Sequence, residues 1–380
     1  MPDDLFDFSL ADTQGTNVDP ISPKDFNITK YTDFEAALLE RNRKFWSAQE
    51  GVQVFRRFRV PEVFAYGCRD MKLSLSLQLA GLQRSMAFKQ DIANFLEPWY
   101  GIGVVASAFG LDYIWNEGQA PGTRPRFSSV KEALDYDTTS ISETQIGIRV
   151  LSFIEYFLEM TKGKIPISLT DTQSPWNVAS YLIDPNSYFI AMFDCPDALS
   201  CLLDRIVEVS IRFTKIQIDL IGDALVMPGH GFASSRNFSG IGMSDDNMMV
   251  ISAKDYINIE VPANSKFGIP FGGIAFHSCG NWSNKIHAVQ EIKNLRMVDG
   301  AFSGETDPSP NPPEPFVEKL ANSGVIINSR VVGSSDKVVE VARRLVRKGM
   351  KVIVVTYCDS PQEQKIAYDQ IHEIRDINKT

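Results

Sequence analysis

A histidine and a cysteine lie two residues apart just after a short apolar run. The run covers residues 273–276, and His277 and Cys279 follow it. In extended chain, side chains two residues apart project to the same side. An imidazole and a thiolate are both good zinc ligands, so this spacing predicts part of a metal site. A free cysteine also packs often as a small hydrophobe, and the spacing alone leaves that alternative open.

A third ligand for the predicted zinc site is Cys358, which follows the apolar run 352–357. A catalytic zinc takes three protein ligands and keeps one position open. In a closed barrel of parallel strands, the carboxyl ends of all the strands face one opening. His277, Cys279 and Cys358 can therefore converge there, and the remaining cysteines are predicted to pack in the interior.

Other polar residues that follow apolar runs could also do chemistry. As catalytic residues we take Asp171, His230 and Glu305, and as substrate-binding residues Glu97 and Tyr357. Three of them have a plain structural alternative. Asp171 could cap the next helix, the glycines beside His230 could form a tight turn, and Glu305 could be a solvated loop carboxylate.

The elements that position these residues alternate regularly from about residue 165 onward. Predicted strands are 165–170, 224–227, 273–276, 297–302, 325–328 and 352–357, with two weaker ones at 60–66 and 96–105. Helical patterns occupy 34–50, 197–221, 338–347 and 361–374. This alternation implies parallel strands joined by right-handed crossovers.

Eight strands are the number in a closed (β/α)₈ barrel. We therefore predict an α/β protein with one TIM-type barrel over residues 51–380, preceded by an arm and a helix over residues 1–50. A doubly wound open sheet is the alternative. No Gly-x-Gly-x-x-Gly stands at a strand–helix junction, which disfavours a dinucleotide site.

Composition excludes several classes of function. A net charge of −9 would repel phosphate backbones, so we expect no nucleic-acid partner. No apolar run approaches the ~20 residues of a membrane helix, and the N-terminus does not read as a signal peptide. Five irregularly spaced cysteines in 380 residues do not form a disulfide framework. A reducing, cytoplasmic location is therefore predicted.

One segment resembles a known family. Residues 170–182 read Thr-Asp-Thr-Gln-Ser-Pro-Trp-Asn-Val-Ala-Ser-Tyr-Leu, which is similar to the Gly-Pro-Trp-Thr-x-Ala-Ser-Tyr-Leu segment of the uroporphyrinogen decarboxylase family. The helix that begins near Asp197 matches its neighbour in that family. The resemblance covers the chain from about residue 165 to the C-terminus and implies a (β/α)₈ barrel.

Departures from the family pattern distinguish its branches. The decarboxylases carry a Met-Arg-Gln-Ala-Gly-Arg signature, whereas residues 56–59 read only Arg-Arg-Phe-Arg. The methylcobalamin:coenzyme M methyltransferases bind zinc through His-x-Cys and a late Cys, which His277, Cys279 and Cys358 match in kind and order. The resemblance thus implies zinc-dependent methyl transfer between a corrinoid, free or on a corrinoid protein, and a thiol. It also places the loop 242–246 over the barrel opening, where Asp245 would contact substrate, although Asp245 could equally cap the next helix.

Two other functions stay open. One is a metal-free decarboxylase of a tetrapyrrole, which would need a basic pocket. The other is a barrel that binds a corrinoid without turnover, although mere binding does not need an open-coordinate metal. Aromatic and Met-rich residues between 58 and 86 could form a homodimer contact.

Overall fold

Parallel strands form the centre of the protein. The structure is a computed structural model that describes residues 13–377, with side chains up to residue 374. The strands in this range are β1 Gly51–Arg56, β2 Ile241–Ser244, β3 Ile274–His277, β4 Leu295–Ala301, β5 Ile326–Val331 and β6 Lys351–Thr356. Their spatial order is β1-β6-β5-β4-β3-β2, so the last strand pairs with the first.

Short extended segments continue this sheet from β2 back to β1. They lie around Leu96, Ile167 and Leu225, which form parallel bridges with one another in that order. Backbone hydrogen bonds then join the group to β2 through Gly242 and to β1 through Asp91. The strands thus enclose a barrel, and the predicted (β/α)₈ fold is confirmed. β2 is an extra strand that the sequence pattern did not predict.

Side chains along each strand alternate between two cores. In β6, Ile353 and Val355 belong to an inner core inside the barrel, together with residues such as Met297. Val352 and Val354 belong to the outer layer between strands and helices. Because both faces are buried, the strands read as nearly continuous apolar runs.

Helices surround the barrel. Within residues 13–377 they are α1 Ile28–Ser47, α2 Met71–Ser85, α3 Val130–Asp135, α4 Gln145–Thr161, α5 Pro175–Leu182, α6 Pro185–Asp194, α7 Pro196–Ile221, α8 Ala253–Asp255, α9 Val261–Gly268, α10 Ile286–Val289, α11 Pro313–Leu320, α12 Ser335–Leu345 and α13 Pro361–Ile377. A π-helical turn, Tyr256–Glu260, joins α8 to α9. None of the helices in this range has the length and apolarity to span a membrane.

α1 closes the end of the barrel opposite to the carboxyl ends of the strands. The side chain of Asn27 caps its first turn by accepting from the N–H of Lys30. Trp46 at its other end joins the inner core. Glu35 forms a two-pronged ion pair with Arg236, at 2.7 and 3.1 Å, which ties the helix to the barrel.

The two weaker predicted strands, 60–66 and 96–105, differ from the structure. The first barrel strand is β1, and residues 60–66 instead contain the 3₁₀ turn Pro61–Phe64, since a proline lacks the N–H that a strand ladder needs. In the predicted strand 96–105 only the start is extended, because Pro98 and the left-handed Gly101 (φ +85°) end it. Residues 1–12 of the predicted arm lie outside the described range. The division into an arm and one barrel domain stays a prediction.

Candidate functional site

A cavity of about 280 Å³ opens at the carboxyl ends of the strands. We call this opening the mouth. Its lining is polar and consists of Gln14, Arg57, Arg59, His230, Gly231, Phe232, Ser244, His277, Asp299 and Arg330. Active sites of (β/α)₈ barrels lie at this end, so the mouth is the candidate active site.

The predicted pair of His277 and Cys279 is brought together on one wall of the mouth. The Sγ of Cys279 lies 3.6 Å from the Nε2 of His277. Asp246 completes a group of three, with its Oδ1 3.7 Å from the same nitrogen. These ligand atoms all lie within 4.8 Å of one another. Ligand atoms around a tetrahedral zinc lie roughly 3.3–3.8 Å apart, given bonds of about 2.0–2.3 Å, and the two distances from the Nε2 of His277 fall in this range.

The other nitrogen of His277 is held by a carboxylate. Its Nδ1 lies 2.6 Å from the Oδ2 of Asp299. Arg330 donates to both oxygens of Asp299 at 2.9 and 3.2 Å, and Asn328 donates to Oδ1. Burial opposes protonation, but the hydrogen bonds to Asp299 and Cys279 raise the pKa of His277 to about 10. The contact of Nδ1 with Asp299 leaves Nε2 directed toward Cys279, the arrangement that orients a metal-binding histidine.

Cys358, the predicted third ligand, is placed elsewhere. Its side chain is 2% exposed and packs in the outer layer, whereas the preceding Tyr357 belongs to the inner core. Successive side chains at a strand end point to opposite faces, so the two adjacent residues cannot both face the mouth. Burial raises the pKa of the Cys358 thiol to about 12. In this conformation Asp246 takes the position predicted for Cys358.

Three predicted residues meet elsewhere around the mouth, on the strand segments that precede β2. The Nδ1 of His230 lies 2.6 Å from Glu97, and its Nε2 lies 3.9 Å from Asp171. Asp171 accepts hydrogen bonds from Trp99 at 3.3 Å and Gln173 at 3.0 Å. Sequence reasoning placed Asp171 and His230 at strand ends and Glu97 on the second predicted strand, and the structure brings these three together.

Glu97 is buried yet held as a carboxylate. Burial alone would raise its pKa, but Arg57 at 3.4 Å and His230 lower the pKa to about 2. A carboxylate at Nδ1 accepts the proton of that nitrogen and leaves the lone pair of the neutral ring on Nε2. The loop around His230 supports this placement, because Gly229 (φ +116°) and Gly231 (φ +85°) adopt backbone conformations that favour glycine.

Guanidinium groups give the mouth positive charge. Arg57, Arg59 and Arg330 all line the cavity, and Arg59 also lies over the ring of Phe64 at 4.8 Å. Two carboxylates, of Glu97 and of Asp299, balance part of this charge. The arrangement suits a substrate that carries an anionic group.

Sequence reasoning missed these arginines and Asp299. The sequence did contain a signal for them, because charged residues two positions apart lie next to or within the apolar runs that form the strands. Arg57 and Arg59 follow β1, and Arg330 lies within β5. A charged residue inside a buried strand, such as Asp299 in β4, is seldom found without a partner and could have been singled out.

Besides Cys358, two further predicted residues do not reach the mouth. Glu305 is exposed and pairs with Lys337 at 2.6 Å, which lowers the pKa of this carboxyl. Asp245 is fully buried, and its oxygens accept hydrogen bonds from the side chains of Ser174, Tyr256 and Asn264. The chain turns after β2 so that Asp245 faces the interior and its neighbour Asp246 faces the mouth. Tyr357 lies near the mouth, where its hydroxyl donates to Gln14 at 3.0 Å.

Comparison with known proteins agrees with this fold. Residues 64–366 match the family model of uroporphyrinogen decarboxylase (URO-D), and the chain belongs to that family. Its structure is similar to that of a methyltransferase from Methanosarcina mazei, with a TM-score of 0.58 over 98% of each chain. The two sequences are 15% identical, so the similarity shows a shared fold. None of the curated proteins compared with the sequence matches it.

Proposed function

We propose that this chain is a zinc-dependent methyltransferase that moves a methyl group between a corrinoid and a thiol. The observation that carries the proposal is the group of His277, Cys279 and Asp246 at the mouth, in which the Sγ of Cys279 and the Oδ1 of Asp246 lie 3.6 and 3.7 Å from the Nε2 of His277. Membership of the uroporphyrinogen decarboxylase family and a fold shared with a methyltransferase support it.

The three ligands leave one position for the thiol. His277 and Cys279 would supply nitrogen and sulfur, and Asp246 would supply oxygen. A bound zinc would make the substrate thiol a thiolate at neutral pH. Asp299 keeps the Nε2 of His277 aimed at this position through its hydrogen bond to Nδ1. A cytoplasmic, reducing location would keep Cys279 free to bind.

The group of His230, Glu97 and Asp171 would handle the proton. Because Glu97 holds the Nδ1 of His230, the Nε2 of that ring is free to accept the proton that the thiol loses. The thiol sulfur would form the new bond to the methyl carbon, and the corrinoid donor would keep the electron pair of the bond that breaks. Asp171, 3.9 Å from Nε2, stabilises the protonated ring. The methyl donor is free methylcobalamin or a corrinoid carried on a partner protein.

The arginines of the mouth define the acceptor further. Arg57, Arg59 and Arg330 line the same cavity as His277. A thiol that carries an acid group would be bound at its anionic end by these guanidinium groups and at its sulfur by the metal. A neutral thiol of similar size would lack the contact with the guanidinium groups.

A second function is favoured by the same arginines. A metal-free decarboxylase of a carboxylated tetrapyrrole needs a basic pocket, and three arginines supply one. Such an enzyme has no use for the pair of His277 and Cys279. The two functions therefore differ in their need for zinc.

The test combines metal analysis with a transfer assay. Purified protein is expected to bind one zinc per chain and to demethylate methylcobalamin with 2-mercaptoethanesulfonate faster than with 2-mercaptoethanol. Cys279→Ser should lose zinc and activity, whereas Cys201→Ser, which changes an exposed cysteine, should keep both. Protein that binds no zinc, or a Cys279→Ser variant that transfers methyl groups at the original rate, would overturn the proposal. Zinc-independent loss of carboxylates from uroporphyrinogen would support the second function.

A further inference from the structure

A second cavity, of about 500 Å³, lies beside the mouth. We call it the aromatic cleft, and its lining is Tyr100, Asp112, Tyr113, Trp115, Gln145, Ile146 and Arg149. The chain between Glu97 and Gly101 separates it from the mouth. Trp99 points to the mouth side, where its indole N–H donates to Asp171. The ring of the next residue, Tyr100, contacts the rings of the cleft.

The aromatic wall is built around Tyr113. Its ring centroid lies 5.7 Å from that of Tyr100 and 5.8 Å from that of Trp115. Its hydroxyl accepts from the N–H of Gly103 at 3.1 Å. A Cβ at Gly101 or Gly103 would lie 2.9 and 2.8 Å from atoms of Tyr113, respectively. Only glycine leaves room for the ring at these two positions, so the wall is fixed by the backbone behind it.

Positive charge lies on the other side of the cleft. Arg149 projects from α4, donates to the carbonyl of Arg69 at 2.6 Å and lies over the ring of Phe153 at 5.2 Å. Arg69 in turn lies 5.1 Å from the ring of Trp115. Among the side chains that the structure describes, residues 13–374, neither guanidinium forms an ion pair with a carboxylate. The first turn of α4 also lines the cleft, and the helix dipole adds to the positive potential there.

We propose that the aromatic cleft binds a flat aromatic ring that carries an anionic group. The ring would pack against Trp115 and Tyr100, and the anion would reach Arg149, where stacking and a charge-assisted hydrogen bond act together. The one acidic side chain of the lining, Asp112, is exposed at the rim. The volume of the aromatic cleft is within the range of about 300–1,000 Å³ that small-molecule sites have. The site is separate from the mouth and does not depend on the proposed methyl transfer.

The anionic group can be a phosphate or a carboxylate, and three probe compounds distinguish between these two possibilities. Calorimetric titration of the full chain, without any methyl donor, would use adenosine 5′-monophosphate, 1-naphthoate and uncharged adenosine. At least one acid is expected to bind, and adenosine should bind about tenfold more weakly than the nucleotide if the phosphate source is correct. Tighter binding of 1-naphthoate alone would assign a carboxylate.

Variants locate the binding. Arg149→Met and Trp115→Leu should each lower the affinity for the acid probe by about tenfold. Arg126→Met is the matched control, because Arg126 lies over the ring of Tyr136 at 4.8 Å but does not line the cleft. If Trp115→Leu fails to fold by circular dichroism, Arg149→Met decides. The proposal is overturned if neither acid binds, or if the acid binds equally well to Arg149→Met.

Discussion

Replacing Cys358 by Ser and, separately, Asp246 by Asn separates two possible third ligands of the zinc site. The thiol of Cys358 packs in the outer layer and is 2% exposed. Asp246 has a side chain that is 45% exposed and lies 3.7 Å from the Nε2 of His277. The two substitutions should therefore change different properties of the protein.

The expected magnitudes follow from these surroundings. Cys358→Ser buries a hydroxyl among apolar side chains, which costs about 1–3 kcal/mol of folding free energy when the group finds no partner. Zinc binding should be unchanged. Asp246→Asn keeps the shape that accepts the N–H of Cys279 at 2.7 Å but removes the charged oxygen. If about 10–16 kcal/mol of zinc binding is shared by three protein ligands, the loss is about 4 kcal/mol, or roughly a thousandfold in zinc affinity.

Zinc affinity is measured by competition with a chromophoric chelator, and stability by thermal denaturation. Matched controls are Cys201→Ser and Asp219→Asn, since both positions are exposed on α7. The reasoning is refuted if Cys358→Ser loses zinc. If Cys358→Ser loses zinc while Asp246→Asn still binds it, Cys358 is the third ligand. The end of β6 would then have to rearrange on metal binding.

Further predictions concern the buried charges. Burial and the neighbouring Asp245 raise the pKa of Glu260 well above its usual range. This carboxyl stays protonated in the folded chain but ionises in the unfolded chain above about pH 4.3, so its contribution to stability is lost as the pH rises. Glu260→Gln should thus stabilise the protein at pH 8, by on the order of 1–3 kcal/mol, and leave it unchanged at pH 4. The pKa of Glu97 is lowered to about 2, so its contribution is present above about pH 4.3 and is lost as the pH falls toward 2. Glu97→Gln should cost about 3–5 kcal/mol at pH 7, because Arg57 is left buried without its partner. Arg59→Met should raise the KM for an acidic thiol about tenfold and leave that for a neutral thiol unchanged.

Each of these predictions has a clear contrary result. Thermal denaturation across pH 3–9 would contradict the first if Glu260→Gln lowers stability equally at pH 4 and pH 8. The second fails if Glu97→Gln unfolds at the same temperature as the original chain at pH 7. For the third, steady-state kinetics would show an equal change in KM for both thiols if Arg59 does not contact the acid group.

The strands and helices of the second half were readable from the sequence because burial on both faces makes each strand an apolar run. β3, β4, β5 and β6 fall where those runs predict them, within one to three residues. The first half was harder, because there the chain is extended only briefly around Leu96 and is interrupted by Pro98. β1 was missed because Gln53 and Arg56 interrupt its apolar pattern.

The sequence by itself determined which residues stand at strand ends, and with them His277, Cys279, His230 and Asp171. It could do so because the carboxyl ends of parallel strands meet at one opening, whatever the details of packing.

Only the tertiary structure decided which side chains at that opening face each other. Asp246 rather than Asp245 faces the mouth, Cys358 faces the outer layer, and Asp299 lies behind His277. The direction of a side chain at a strand end depends on where the strand stops and how the following loop turns. Those are set by contacts between segments far apart in the chain, which a sequence pattern does not contain.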